Sequence, residues 1–262
     1  MEFKKIEYSV KNYVAKVVLN SPKNLNALDE SMLDELLLAL ELIENDDEVK
    51  VAVLAGSGNG FSAGGDIKYM YSTLKSGEME FGDAVKKAGL VAYGIKRLSK
   101  PVIAAVHGAV AGAGVNVALA CDFCFATEET QFIQAFVKLG LVPDAGGIYL
   151  LTRAVGVNKA IELVMTGRPV GADEALTIGM INKVVSADKL EETVYKTAEQ
   201  LLMSPSIALA GMKALIFESE YKGFQEYLTL EEQLQNKCGA TEDFREGVFA
   251  FVEKRKANFI GK

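Results

Sequence analysis

Chemistry-bearing side chains are scarce in this chain of 262 residues, which has three cysteines and one histidine. Three cysteines are an odd and sparse set, so a disulfide scaffold is excluded. Cys121 and Cys124 form a CxxC, but inside the apolar run 118–126, which predicts buried thiols over a redox or metal site. His107 follows an apolar run and has no Ser or Cys at a recognisable spacing, so a structural role is expected. No stretch approaches the roughly 20 apolar residues that span a bilayer. The opening Met1-Glu2-Phe3-Lys4-Lys5 leads into no signal-like apolar block, so a cytoplasmic protein without a membrane partner is expected. The net charge is −7. Without a dense basic run, that balance disfavours nucleic acid as a partner, because phosphate neutralisation dominates such binding.

Half of the residues are apolar and 24% charged, as in ordinary globular proteins. The length fits one large domain, or a core with a small appendage. The first part alternates strand and helix signals. Tyr13–Leu19 reads as a strand broken by Pro22, and Asp29 as the N-cap of a helix reaching Glu44, with Leu33, Leu36, Leu37, Leu40 and Ile43 on one face. Val49–Ala55, Val102–Val106 and Cys121–Ala126 read as buried strands. Helical spacing runs over Phe81–Leu98 and again over Asn116–Ala120. From Ala187 the pattern is all helical: Glu191–Met203, Ile207–Glu218, Phe224–Gln235 and Asp243–Lys256. These signals divide the chain into a core, 1–186, and a helical region, 187–262.

Three Gly-rich turns stand out: Gly56–Gly65, Gly108–Gly114 and Gly140–Gly147. Each precedes a helix, so backbone N–H groups gather at a positive helix end that can hold a phosphate or an oxyanion. Strand, Gly-rich turn and helix recur at roughly 45-residue intervals, as in a doubly wound sheet or a stacked spiral of strand–helix turns. No turn ends in the Gly-Lys-Ser/Thr of a P-loop. Gly58-Asn59-Gly60-Phe61-Ser62-Ala63 only approximates a dinucleotide fingerprint, and Glu78 and Glu80 lie in a polar stretch, not at a strand end. Tight turning alone remains the plainer explanation of any one of these turns.

The segment Phe61-Ser62-Ala63-Gly64-Gly65-Asp66-Ile67-Lys68 resembles the first signature of the crotonase family, the enoyl-CoA hydratases and isomerases. Pro101 to Gly108 with Ala111-Gly112-Ala113-Gly114 is similar to its second. Gly140 to Gly147 followed by Leu151-Thr152-Arg153-Ala154-Val155-Gly156 is similar to its third, and Phe251 to Phe259 to its C-terminal helix. The resemblance spans essentially the whole chain. It implies an α/β fold, a crotonase-like spiral of ββα turns with a helical C-terminal trimerisation region, as a homotrimer or dimer of trimers. It also implies acyl-CoA thioester chemistry, with coenzyme A as part of the substrate and no separate cofactor or metal. The N–H groups of Gly65 and Ala113 match the pair that binds the thioester oxygen as it becomes an enolate.

Family hydratases use two glutamates, and the matching positions here are Asn116 and Phe136. Neither is a base, which puts simple hydration in doubt. Asp144 stands where several family isomerases carry an aspartate, and the stretches 131–136 and 140–147 resemble the ring-1,2-epoxyphenylacetyl-CoA isomerase group. Enoyl-acyl-carrier-protein isomerases look similar there too. One carboxylate suffices to move a double bond if it takes a proton from one carbon and returns it to another. The competing role for Asp144 is to cap the helix that follows it.

The resemblance further points to Lys23, Ala27, Ala63, Asp66, Ile67, Lys68, Asn116 and Phe136 around the substrate. Asp66 is expected to cap its helix, while Lys254 and Lys256 either reach CoA phosphates or form a solvated helix face. Tyr69, Met70, Tyr71 and Leu74 are expected in the acyl pocket, whose size depends on the stretch Tyr69–Gly82. Four readings follow: an isomerase of an enoyl-CoA or enoyl-acyl-carrier-protein thioester, a hydratase in which Asp144 activates water, a non-catalytic CoA-thioester binding subunit, and, weakest, a dinucleotide enzyme.

Overall fold

The computed structural model describes residues 3–77 and 83–262. The chain opens with β1 (Ile6–Lys11), β2 (Val14–Leu19), α1 (Glu30–Asn45), β3 (Val51–Gly56), β4 (Gly60–Ser62), α2 (Ile67–Ser76) and α3 (Ala84–Arg97). It continues with β5 (Val102–Val106), β6 (Ala109–Ala111), α4 (Ala113–Ala120), β7 (Phe123–Thr127), β8 (Gln131–Ile133), α5 (Gly147–Val155) and α6 (Val157–Thr166). Then come β9 (Pro169–Gly171), α7 (Ala172–Thr177), β10 (Lys183–Val185), α8 (Leu190–Leu202), α9 (Ser206–Glu220), α10 (Phe224–Gly239) and α11 (Glu242–Val252). The expected helix start at Phe81, like Glu78 and Glu80, lies outside the described residues. No single helix among the described residues is long and apolar enough to cross a membrane.

The strands form two sheets, ordered β1-β2-β3-β5-β7-β10 and β4-β6-β8-β9. Successive turns give one strand to each: β3 then β4, β5 then β6, β7 then β8. That is the ββα spiral. The second sheet was not legible in the sequence, because its strands are only three residues long and two of them, β4 and β6, lie in the Gly-rich segments. The β1–β2 hairpin was missed as well; β1 lies at the sheet edge, is mostly exposed and shows little alternation.

Val51–Leu54 and Val102–Val106 are continuous apolar runs buried on both faces, as parallel strands with two covered faces are. Ala52, Leu54, Val102 and Ala104 face the α1 and α3 side, where Leu33, Leu36 and Ile95 pack. Val51, Val53, Ile103 and Phe125 face the other way, against Val194 and Ala198 of α8. The helical region is no appendage: α8 seals one face of the main sheet. Farther on, Phe224 of α10 joins the main core and stacks on Tyr149, ring centroids 4.7 Å apart at 8°. Burying such a ring stabilises the docked helix by roughly 1.5–3 kcal/mol. The last helix stops at Val252, four residues before the expected Lys256. Lys254 (φ 55°) and Lys256 thus lie beyond it, on no helix face.

Candidate active site

The first and second Gly-rich turns touch. Gly64 has φ 81°, and a Cβ there would meet the Ala111 carbonyl oxygen at 2.7 Å and the Ala113 nitrogen at 3.2 Å. Only glycine permits this approach. It sets Gly65 beside Ala113, the first residue of α4. Neither the Gly65 nor the Ala113 amide donates a hydrogen bond among the described residues. Both border one cavity of about 450 Å³, with Leu28, Tyr69, Met70 and Asp144. A smaller chamber of about 50 Å³ also meets Gly65, Met70 and Asp144 and is walled by Ala63, Ile67 and Phe136.

Asp144 caps no helix: α5 begins at Gly147, its N-cap is Gly146, and no side chain caps it. The Asp144 carboxyl therefore remains available to the cavity. Oδ2 accepts a 3.4 Å hydrogen bond from Gln235 Nε2, whereas Oδ1 is sealed from water with no partner. Burial pushes its pKa up to about 7, and the Gln235 contact offsets this only in part. No Lys, Arg or His among the described residues pairs with it.

The other acids that border the cavity are already engaged. Asp29 caps α1 through Met32 N–H and pairs with Lys5. Glu30 pairs with Lys87, and Asp66 accepts from the Tyr69 N–H as the N-cap of α2.

Asn116 is fully buried and borders neither chamber. Its Nδ2 donates to the Asp144 carbonyl at 2.7 Å, and its Oδ1 accepts from Gln134 Nε2 at 2.6 Å. This corrects its placement against substrate: Asn116 fixes the backbone of Asp144. Ala27 is buried one residue before Leu28, whose N–H donates to the Gly64 carbonyl at 2.7 Å. Lys23 and Lys68 are exposed and border neither chamber. Tyr69 and Met70 line the cavity as expected, but Tyr71 packs on Phe249 at 4.8 Å, and Leu74 lies under Phe244 and Val248. His107 Nε2 lies 2.9 Å from the Gly58 carbonyl oxygen, a structural contact. Cys121 and Cys124 are free and buried; burial pushes the Cys121 thiol up to about 12. The described residues hold no group of three His, Cys, Asp or Glu side chains able to seat a metal.

Sequence reasoning missed Gln235 and Glu231 of α10. Gln235 Oε1 accepts from Val142 N–H at 3.1 Å, and Glu231 Oε1 from Gly146 N–H at 2.9 Å. A signal existed. Phe224, Leu228, Glu231 and Gln235 follow helical spacing, so two polar residues fall on the core-facing stripe.

The family model for enoyl-CoA hydratase/isomerase matches residues 9–262. The chain is 40% identical over 265 residues to a trans-2-decenoyl-[acyl-carrier-protein] isomerase of Streptococcus mutans, covering 100% of both proteins. It is 36% identical over 263 residues to a 1,2-epoxyphenylacetyl-CoA isomerase of Escherichia coli, again covering 100% of both. A crystal structure of an enoyl-CoA hydratase from Mycobacterium avium subsp. paratuberculosis matches with a TM-score of 0.90 at 32% identity, over 99% of this chain and 100% of that one.

Proposed function

The chain belongs to the enoyl-CoA hydratase/isomerase family, and from that premise we propose that it moves a double bond in an enoyl thioester of coenzyme A or acyl carrier protein. The observation that carries this reading is one uncommitted carboxyl, Asp144, on the cavity that the unpaired Gly65 and Ala113 amides also border. The thioester oxygen binds between the two amides. Asp144, ionised, takes a proton from one carbon of the acyl chain. The C–H electron pair moves into the chain, the double bond shifts, and the thioester oxygen carries the charge as a dienolate. Asp144 then returns the proton two carbons away from where it was taken. Preorganised donors stabilise such an oxyanion by roughly 3–4 kcal/mol each. A base with a pKa near 7 is matched to both halves of the transfer.

Hydration is disfavoured because no second free carboxylate among the described residues borders the cavity to hold a water with Asp144. Relatives of both thioester kinds support the choice of substrate class without separating coenzyme A from carrier protein. Met203, Ile207 and Leu215, exposed on and beside α9, support self-association as a trimer or dimer of trimers; sedimentation of the purified chain tests it.

The test is a panel of 2-enoyl and 3-enoyl thioesters on coenzyme A and on acyl carrier protein, incubated in deuterated water with wild type and Asp144→Asn. Mass spectrometry follows the products. Isomerisation with deuterium uptake, lost in the variant, is expected. A product heavier by one water makes the chain a hydratase, and thioester binding without turnover makes it a binding subunit.

A further inference from the structure

Helix α10 backs the turn that carries Asp144, and two of its residues hold that turn from behind. Glu231 and Gln235 are one helical turn apart on one face and are 4% and 1% exposed. Gln235 bonds Val142 N–H and the Asp144 carboxyl; Glu231 bonds Gly146 N–H. The turn needs holding, because Ala145 and Gly146 both adopt left-handed backbone, φ 52° and 73°. For alanine that conformation is strained by roughly 1–2 kcal/mol.

Glu231 borders neither chamber, so it cannot touch substrate. Its second oxygen, Oε2, is buried without a hydrogen-bond partner, and no cationic side chain among the described residues pairs with it. The groups facing it are the Gly146 and Gly147 amides, the Tyr227 hydroxyl from one turn earlier on α10, which bonds the carboxyl and tempers its rise, and Asp144. Such a carboxyl is costly as an anion and tolerable as a neutral acid.

We propose that Glu231 is a positioning residue of the proton-transfer step: as a neutral acid it holds the Gly146 amide, fixing the Asp144 turn, and leaves Asp144 as the carboxyl that ionises. The proposal rests on the isomerase reading above for its kinetic consequences. Two carboxyls in one dry neighbourhood resist double ionisation, and each charge raises the other's proton affinity. Burial, reinforced by the Asp144 charge, pushes Glu231 up to about 8. The asymmetry between the two carboxyls has a structural cause: Asp144 is only half-buried and borders the cavity, whereas Glu231 is buried and borders neither chamber. Near neutrality the pair therefore keeps one proton, held on Glu231.

The experiment compares Glu231→Gln and Glu231→Ala on the thioester that wild type turns over best. Glutamine still accepts from Gly146 but cannot ionise; alanine orphans that amide. Glu231→Ala is expected to lower kcat by roughly 10- to 100-fold with little change in KM. Glu231→Gln restores most of that loss and abolishes the alkaline fall in kcat expected near pH 8 in wild type. Wild-type kcat in Glu231→Ala, or a Gln variant as slow as Ala, overturns the proposal. Where Glu231→Ala does not fold, the Gln profile decides alone, and an alkaline limb that survives there overturns it. A substrate-free readout separates this idea from the isomerase reading. Infrared titration of protonated carboxyl bands should show two buried acids in wild type and one in each of Glu231→Gln and Asp144→Asn. Identical titrations of wild type and Glu231→Gln refute the pair even if no thioester is turned over.

Discussion

Replacing Asp144 by Asn should abolish turnover and stabilise the fold. The folded-state pKa is about 7, against 3.8 for an ordinary aspartate. Folding thus favours the protonated form, and holding the anion at neutral pH works against the native state. The sign follows directly. Between about pH 4 and 7 the folded protein binds a proton that the unfolded chain does not, so stability falls as pH rises through that window. Below it both states are protonated and the variant gains nothing; above it the gain is constant. Roughly three units at about 1.4 kcal/mol each set a ceiling near 4 kcal/mol. Asp144 is only half-buried and borders an open cavity, so a gain on the order of 2 kcal/mol is the working expectation. For a chain of this size that is a rise in Tm of roughly 4–8 °C. The assay is thermal or urea unfolding of both proteins from pH 4 to 8.5. A variant less stable than wild type at pH 8, or an offset that does not grow with pH, refutes the reasoning.

Three further outcomes follow from the same geometry. Ala113→Pro removes the second oxyanion donor at the first helical residue, where proline is tolerated; kcat should fall roughly 100- to 1,000-fold with an unchanged circular dichroism spectrum, and normal turnover counts against this donor. The kcat/KM profile should lose activity as pH falls through about 7, where Asp144 takes up its proton; an acid limb near 4 instead would show that the working carboxylate is a solvated one. Met70 closes over Gly65, its methyl 2.8 Å from where a Cβ would stand, at the junction of the two chambers. Met70→Ala should therefore raise the kcat/KM ratio of long over short acyl chains, and an unchanged ratio across the panel would discard Met70 as the partition.

What was legible in the sequence is what is local. The Gly65 and Ala113 amides were singled out by the resemblance, whose motifs place each in a Gly-rich turn opening onto a helix, and the contact of Gly64 with Ala113 brings the two turns together. The buried strands were legible because both their faces are covered, so their residues form unbroken apolar runs. Asp144 could be singled out, but its two roles could not be separated. That needed the start of α5, which Gly146 and Gly147 set, since dipeptides of glycine fit a cap or a turn equally well. Asn116 was misread for a different reason. A buried amide that supports a backbone carbonyl and one that meets substrate have the same sequence appearance; only the Gln134 contact distinguishes them.

The largest gap is α10, and it has a physical cause. A carboxyl that works as a base near neutrality must be desolvated. The turn 142–147, with two glycines, one proline and one alanine, has too little side-chain mass to bury its own aspartate. The cover has to come from elsewhere, and whatever covers it must also satisfy the N–H groups that a non-helical turn leaves unpaired. An apolar helix would have met the first need and failed the second. A helix with Glu and Gln on its core-facing stripe meets both: Gln235 covers one oxygen of Asp144, and the two side chains accept from Val142 and Gly146. Polar residues in phase with Phe224 and Leu228 are therefore the price of a buried carboxyl on a glycine turn, about 90 residues from the motif they complete.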